Sequence, residues 1–381
     1  MLIQTRAQLQ GLAERLHSEK VIGLDTEFAS EGRYYAEPAT IQIATRDQAV
    51  LVDLLAVRDI SPLHPILSSP EVTKILHAGR QDLEILYRLM GQPVRAVFDT
   101  QVVASLLGYG DQVSLRMLLK QVLGVEVEKD YTFTDWMRRP LSSGQVQYAL
   151  NDVVHLLPLY DALREMLAGK GRLQWAEEEL KTLESTERYD QVDERQVYLS
   201  IKGAERLSRP QLGVLQELAA WRELTARQQN LPPAKLAMDP VLVELARRPR
   251  KSPKELAEIR GLHGGQISKY GKDMIAALAR GRDSHPEPVR YEEALSAAME
   301  TTADFLSLCL RNLAREQSIS PGVLGNRSQV RELVRSGRAA DVPLLRGWRR
   351  QIAGDALLAA LEGKVTLRVS GATREVEVCG L

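Results

Sequence analysis

Val21-Ile22-Gly23-Leu24-Asp25-Thr26-Glu27-Phe28 is an apolar run that ends in two carboxylates one residue apart. Apolar and β-branched residues open it, which predicts a strand. Side chains alternate faces along a strand, so Asp25 and Glu27 share one face while Thr26 and Phe28 point into the other layer. Two acids on one face at a strand end can hold a metal ion.

Reading outward, residues 6–20 predict a short amphipathic helix with Leu9, Leu12 and Leu16 on one side. Thr40 to Ala44 and Val50 to Asp53 follow the first strand closely, with turn-prone residues between them, as in an antiparallel meander. The pattern then alternates. Lys74 to His77 reads as strand, Arg80 to Met90 as helix and Ala96 to Phe98 as strand, with further helices near 100–107 and 114–123. A meander followed by α/β alternation implies a mixed sheet covered by helices. Ser143 to Leu167 predicts a long helix capped by Ser143 and kinked or broken at Pro158.

From Ser208 onward strand signals give way to helical periodicity. Leu212, Leu215, Leu218, Ala219 and Trp221 mark one helix, and Ser252-Pro253-Lys254-Glu255 carries the cap, proline and acid that open another. Leu236, Glu244, Leu245 and Arg247 recur 88 residues later as Leu324, Glu332, Leu333 and Arg335. Two copies of a small helical domain are therefore expected. The expected organisation is an α/β mixed-sheet domain over 1–170, a charged connector over 171–207, helical domains over 208–285 and 289–362, and a hairpin over 363–381.

A length of 381 residues suggests two or three domains, and 44% apolar with 26% charged residues is ordinary for a globular chain. The net charge is zero, yet residues 1–195 hold 21 Lys+Arg against 29 Asp+Glu, while 196–381 hold 29 against 21. The acidic half suits cations and the basic half a polyanion. Cys309 and Cys379 are the two cysteines, far apart in sequence, which argues against a disulfide framework or a structural zinc site. Neither a secretory signal nor a run of about 18 apolar residues is visible. A cytosolic protein with no membrane segment and no obligate protein partner is expected.

Two further acids are placed to join the opening pair. Asp82 starts a helix after His77-Ala78-Gly79-Arg80-Gln81, and Asp152 lies one helical turn past Tyr148. Should Asp25, Glu27, Asp82 and Asp152 meet, their repulsion requires cations, and an all-oxygen donor set selects Mg²⁺ or Mn²⁺. Two such ions would clamp the attacking and leaving oxygens of a phosphodiester hydrolysis. Tyr148 would sit beside the water, to orient it or share its proton.

These stretches, Asp25-Thr26-Glu27-Phe28, His77 to Asp82, and Tyr148-Ala149-Leu150-Asn151-Asp152, resemble the three motifs of the DEDD exonuclease superfamily in order and spacing. Four residues separate Tyr148 from Asp152, as in the tyrosine subgroup; the position occupied by histidine in the other subgroup is Gln147. Tyr34-Tyr35, Phe98-Asp99-Thr100-Gln101 and Asp135 to Leu141 extend the likeness to the ribonuclease D family. The helical copies resemble HRDC domains. The resemblance implies a ribonuclease H-like exonuclease fold followed by two HRDC-like domains. It also implies a metal-dependent 3′-to-5′ exoribonuclease acting on tRNA precursors with 3′ extensions and other structured RNAs. Space beside the metals for a terminal nucleotide would then explain Gly23.

Other residues weigh less. His77, at the end of an apolar strand, reads as a hydrogen-bonded core residue, and Asp53 and Asp99 as structural, with Asp99 a candidate to brace the site. Phe28 and Tyr35 are candidates to stack on a terminal base. Residues 208–285 carry 14 Lys+Arg against 8 Asp+Glu, so phosphate contacts are expected from Arg247, Arg248, Arg250, Lys251, Lys269 and Lys272. The alternatives are a single-stranded DNA exonuclease, which matched RNA and DNA oligomers would distinguish, and a non-catalytic nucleic-acid-binding scaffold, which predicts a missing acid.

Overall fold

A computed structural model describes residues 1–127, 134–189, 193–284, 286–287, 294–372 and 374–379. The expected boundaries at 285, 289 and 381 lie outside the described residues. The chain forms two compact units.

The first unit comprises Met1–Glu27, Pro38–Thr186 and Ala294–Leu381. Its opening elements are β1 (Leu2–Ile3), α1 (Arg6–Leu16), β2 (Val21–Ala29), β3 (Glu37–Ala44) and β4 (Ala49–Asp53). After α2 (His64–Leu67) come β5 (Thr73–Leu76), α3 (Arg80–Met90), β6 (Val97–Asp99), α4 (Thr100–Leu106) and α5 (Leu115–Leu123). The strands form one sheet in the order β1-β4-β3-β2-β5-β6. β2 pairs parallel with β5, and β5 with β6, while β3 and β4 are antiparallel, so the expected mixed sheet is present.

Local chemistry sets the ends of these elements. Thr5 and Gln8 form a capping box on α1, which buries Leu9, Leu12 and Leu16. Gly91 closes α3 in the left-handed conformation that glycine adopts without steric cost. The long helix expected from Ser143 is two helices, α6 (Ser143–Val154) and α7 (Leu156–Gly169), with Pro158 in the first turn of α7, where its missing N–H costs nothing. The cap of α6 is Ser142, one residue before the expected position, paired with Gln145. α8 (Leu173–Lys181) follows.

The second unit comprises Glu187–Glu293 together with Phe28–Glu37. Its helices are α9 (Arg209–Gln229), α10 (Pro233–Leu236), α11 (Asp239–Arg247), α12 (Pro253–Leu256) and α13 (Gly264–Arg280). Ser252 caps α12 as expected, with Pro253 at its first position. Leu215, Leu218, Leu242, Leu245, Met274 and Leu278 are fully or almost fully buried in one core, and Tyr34 packs against it.

The chain then returns to the first unit with α14 (Ala297–Glu316), α15 (Pro321–Leu324), α16 (Arg327–Ser336), α17 (Gly347–Arg349) and α18 (Asp355–Leu361). The starts of α9, α10 and α11 precede those of α14, α15 and α16 by 88 residues each, the offset seen in the sequence. Residues 294–381 fall in the same compact unit as the sheet. A specific set of contacts accounts for this. Trp175 and Trp348 stack at 4.7 Å with 12° between planes, and Glu179 accepts from Trp348 Nε1 at 3.1 Å and Arg349 Nη2 at 2.7 Å. Buried Arg172 donates to the Leu106 and Ser318 carbonyls at 2.7 and 3.2 Å. The C-terminal hairpin pairs β7 (Thr366–Val369) antiparallel with β8 (Val376–Cys379).

Candidate active site

β2 carries Asp25 and Glu27 toward its end, and its parallel pairing places Gly23 opposite Ile75 of β5. The chain leaving β5 therefore emerges on the acidic side of β2. A turn through Ala78 (φ 55°) then starts α3, with Asp82 in its first turn. Asp99, at the end of β6, fastens that turn. Its buried carboxylate accepts the N–H groups of Ala78 at 3.1 Å, Gly79 at 2.8 Å and Gln101 at 2.8 Å. A Cβ on Gly79 would lie 2.6 Å from the Leu76 side chain, so glycine is required for the turn to pass so close. The bracing role suggested for Asp99 thus has a geometry: it sets where α3 begins, and hence where Asp82 stands.

Tyr148 and Asp152 lie one turn apart on α6 and face the same groove. Gly23 explains how α6 comes so near the sheet. A Cβ there would meet the Val153 carbonyl oxygen at 3.2 Å and the Cβ atoms of Ala44 and Leu156 at 3.4 Å each. The space beside Gly23 is filled by protein, not left for a nucleotide as expected. The missing side chain lets the last turn of α6 settle on β2, which brings Asp152 to Asp25 and Glu27.

Carboxylate oxygens of Asp25, Glu27 and Asp152 lie within 4.8 Å of one another, the one such acidic group among the described residues. Asp82 stands beside these three. Its Oδ1 accepts the Thr26 N–H at 3.0 Å and the Thr26 hydroxyl at 2.5 Å, a tether that no local pattern in the sequence foretells. Burial raises the Asp25 carboxyl well above its ordinary range, and repulsion from Asp82, Asp152 and Glu27 adds to it. Glu27 is pushed up to about 8 by burial, then by Asp152 and Asp82. Burial raises Asp152 to about 6, and it raises Asp82 against the two Thr26 hydrogen bonds. A half-buried all-oxygen cluster that resists ionisation fits a hard divalent cation, whose charge would remove the penalty.

A groove of about 450 Å³ opens beside this cluster, lined by Arg116, Met117 and Lys120 of α5 and by Tyr148, Asn151 and Asp152 of α6. The Tyr148 ring lies 6.1 Å from that of Trp136. The α5 side of the groove is not among the sequence-based expectations. Its signal is nonetheless there as Arg116 and Lys120, four residues apart on a helix whose opposite face buries Leu118 and Leu119.

The remaining candidates separate. His77 is a hydrogen-bonded interior residue, its ring nitrogens 2.8 Å from Thr100 Oγ1 and 3.0 Å from the Val113 carbonyl. Asp53 is structural, held by Arg139 at 2.6 Å. Phe28 is half-buried, and Tyr35 sits edge-on against Tyr34 at 4.6 Å. Arg248 faces Glu244 at 3.8 Å, Arg250 faces Glu258 at 3.9 Å, and Lys269 bonds Gln229 at 2.9 Å while lying over the Tyr270 ring. Arg247, Lys251 and Lys272 are exposed and enter no ion pair among the described residues. No helix among the described residues is long and apolar enough to cross a membrane.

The chain matches a 3′-5′ exonuclease domain model over residues 1–168 and an HRDC domain model over residues 211–278. It is 36% identical to ribonuclease D of Nitrobacter hamburgensis, across 97% of both chains, and 36% identical to ribonuclease D of Gluconacetobacter diazotrophicus, across 97% of this chain and 95% of that one. The crystal structure of Escherichia coli RNase D, described as an exoribonuclease involved in structured RNA processing, superposes with a TM-score of 0.85 at 29% identity. That match covers 95% of this chain and 98% of the other. The chain belongs to the ribonuclease D family, and its first 168 residues are a 3′-5′ exonuclease domain.

Proposed function

We propose that this member of the ribonuclease D family is a 3′-to-5′ exoribonuclease that trims tRNA precursors with 3′ extensions, and other structured RNAs, in the cytoplasm. The observation that carries the reading is the convergence of Asp25, Glu27 and Asp152, with Asp82 beside them, at one end of the groove that Tyr148 lines. Asp25, Glu27, Asp82 and Asp152 would hold two divalent ions, Mg²⁺ or Mn²⁺. When bound, such ions neutralise the phosphate and supply a hydroxide nucleophile at neutral pH.

This chain's own residues do the rest. Tyr148, one turn from Asp152, is placed to orient the attacking water through its hydroxyl. Asn151, Arg116 and Lys120 offer donors along the groove to the terminal nucleotide and its phosphate. In the second unit, Arg247, Lys251 and Lys272 are the cations best placed to grip the RNA body, with Arg248, Arg250 and Lys269 partly engaged elsewhere. Residues 208–285 serve as the RNA-holding HRDC domain and 289–362 as a second, HRDC-like copy. Phe28 and Tyr35 remain stacking candidates.

The test is Asp152→Asn. The variant should lose hydrolysis of a 3′-extended tRNA in Mg²⁺ while binding it as the parent protein does; retained turnover would overturn the assignment.

A further inference from the structure

Ser320 stands at the cap position of α15, yet its hydroxyl accepts none of that helix's N–H groups. Serines at the same place on α12 and α14, Ser252 and Ser296, each accept one in the usual way. The Ser320 hydroxyl is turned outward from its helix and accepts the N–H of Gly110 at 3.0 Å, while the Ser320 N–H donates to the Ser105 carbonyl at 2.8 Å. Both bonds are made by a residue only 3% exposed, where an unpaired polar group is costly. In the first helical copy the position 88 residues earlier is Pro232, which has neither hydroxyl nor N–H. The pair of bonds therefore belongs to the second copy alone.

Ser105 lies at the end of α4 and Gly110 in the segment from α4 to α5, all within the compact unit that also holds α15. Other contacts close on the same segment. Arg172 ties its start to the turn before α15, donating to the Leu106 carbonyl and to those of Gln317 and Ser318. Gly108, at φ 88°, passes so near this turn that a Cβ would lie 2.8 Å from the Ser318 oxygen. At the far end, the Val113 carbonyl accepts from Gln101 Nε2 at 3.1 Å and lies 3.0 Å from His77 Nε2. Ser114 follows at once and caps α5 by accepting the Met117 N–H at 3.3 Å. From there α5 buries Leu118 and Leu119 and presents Arg116, Met117 and Lys120 to the groove that Tyr148 and Asp152 also line. A connection fastened at both ends leaves the start of α5 little freedom to drift.

We infer that Ser320 is a positioning residue for the exonuclease groove, holding the segment ahead of α5 so that Arg116 and Lys120 stay where the phosphates of the substrate pass. The second helical copy then has a task apart from gripping the body of an RNA: it braces the cationic wall of the groove. Ser320 acts only through α5. This rests on the reading of the groove as the path of the RNA 3′ end.

Ser320→Ala deletes the acceptor, and Ser320→Thr keeps a hydroxyl. Both are made in the full-length protein, and Ser320→Ala is also made in an Arg116→Ala/Lys120→Ala background. Each protein is melted thermally and assayed for single-turnover cleavage of an RNA trinucleotide over a range of enzyme and Mg²⁺ concentrations. For Ser320→Ala the half-saturating enzyme concentration should rise by up to about fivefold, the scale that one hydrogen bond allows, with the Mg²⁺ midpoint at its parental value. Ser320→Thr should behave as the parent. Without the two cations Ser320→Ala should add no further weakening, because its effect runs through them. An equal fold-change in both backgrounds, or a lowered melting temperature with parental half-saturation, would show a merely structural serine and overturn the inference. If Arg116→Ala/Lys120→Ala alone leaves half-saturation unchanged, the reading of the groove fails and this inference falls with it.

Discussion

Replacing Glu27 by Gln should make the metal-free protein more resistant to alkaline pH while disabling it as an enzyme. The Glu27 carboxyl stands at about 8 in the fold against an ordinary value of 4.5. A raised folded value means that the group's contribution to stability is fully present below 4.5 and is lost as pH rises through 8. At about 1.4 kcal/mol per pH unit, the loss between pH 5 and pH 8 is on the order of 3 kcal/mol. Glutamine cannot ionise, so this part of the pH dependence should vanish in Glu27→Gln. The assay is urea denaturation in EDTA at pH 5 and pH 8, followed by tryptophan fluorescence, for which Trp136 is a reporter packed by Tyr148. The variant should gain about 3 kcal/mol on the parent between the two pH values. Saturating Mg²⁺ should offset most of this gain at pH 8, since a hundredfold excess over Kd adds about 2.7 kcal/mol to the protein that binds it. A difference between variant and parent that is the same at both pH values would refute the electrostatic account of the cluster.

Gly23→Val should push α6 away from β2, because a Cβ already meets the Val153 oxygen at 3.2 Å; a stability loss of about 1–3 kcal/mol by thermal melting and a marked fall in activity are expected. Tyr148→Phe should lower the single-turnover rate while leaving RNA affinity as it is, and unchanged rates would mean that the hydroxyl takes no part. Neutralising Arg247, Lys251 and Lys272 together should weaken RNA binding and flatten the plot of log affinity against log salt by up to about 2, as three lost phosphate contacts on a single strand would.

Much of this site is legible in the sequence because its signals are local. Alternation along Val21 to Phe28 puts Asp25 and Glu27 on one face, and a spacing of four puts Tyr148 and Asp152 on one side of α6. What escapes depends on partners distant in sequence. No periodicity announces that Thr26 will tether Asp82, 56 residues on, or that Asp99 will hold the turn before α3. Gly23 suggests empty space when its strand is read alone, because its neighbour, the Val153 carbonyl, comes from a helix about which a strand says nothing. The 88-residue repeat is visible as composition, but the residues that unite its second copy with the first unit, Trp175, Glu179 and Trp348, are single positions outside the repeated pattern. The cations likewise look equivalent as a basic run. Only the fold separates Arg247 and Lys251 from Arg250, which turns to Glu258.

The most direct test of the central claim is a time course on a 5′-labelled, 3′-extended tRNA with the purified full-length protein in Mg²⁺. The account predicts a ladder that shortens one nucleotide at a time from the 3′ end, with mononucleotides released, and complete arrest by EDTA. Internal fragments, shortening from the 5′ end, or cleavage that continues in EDTA would contradict it.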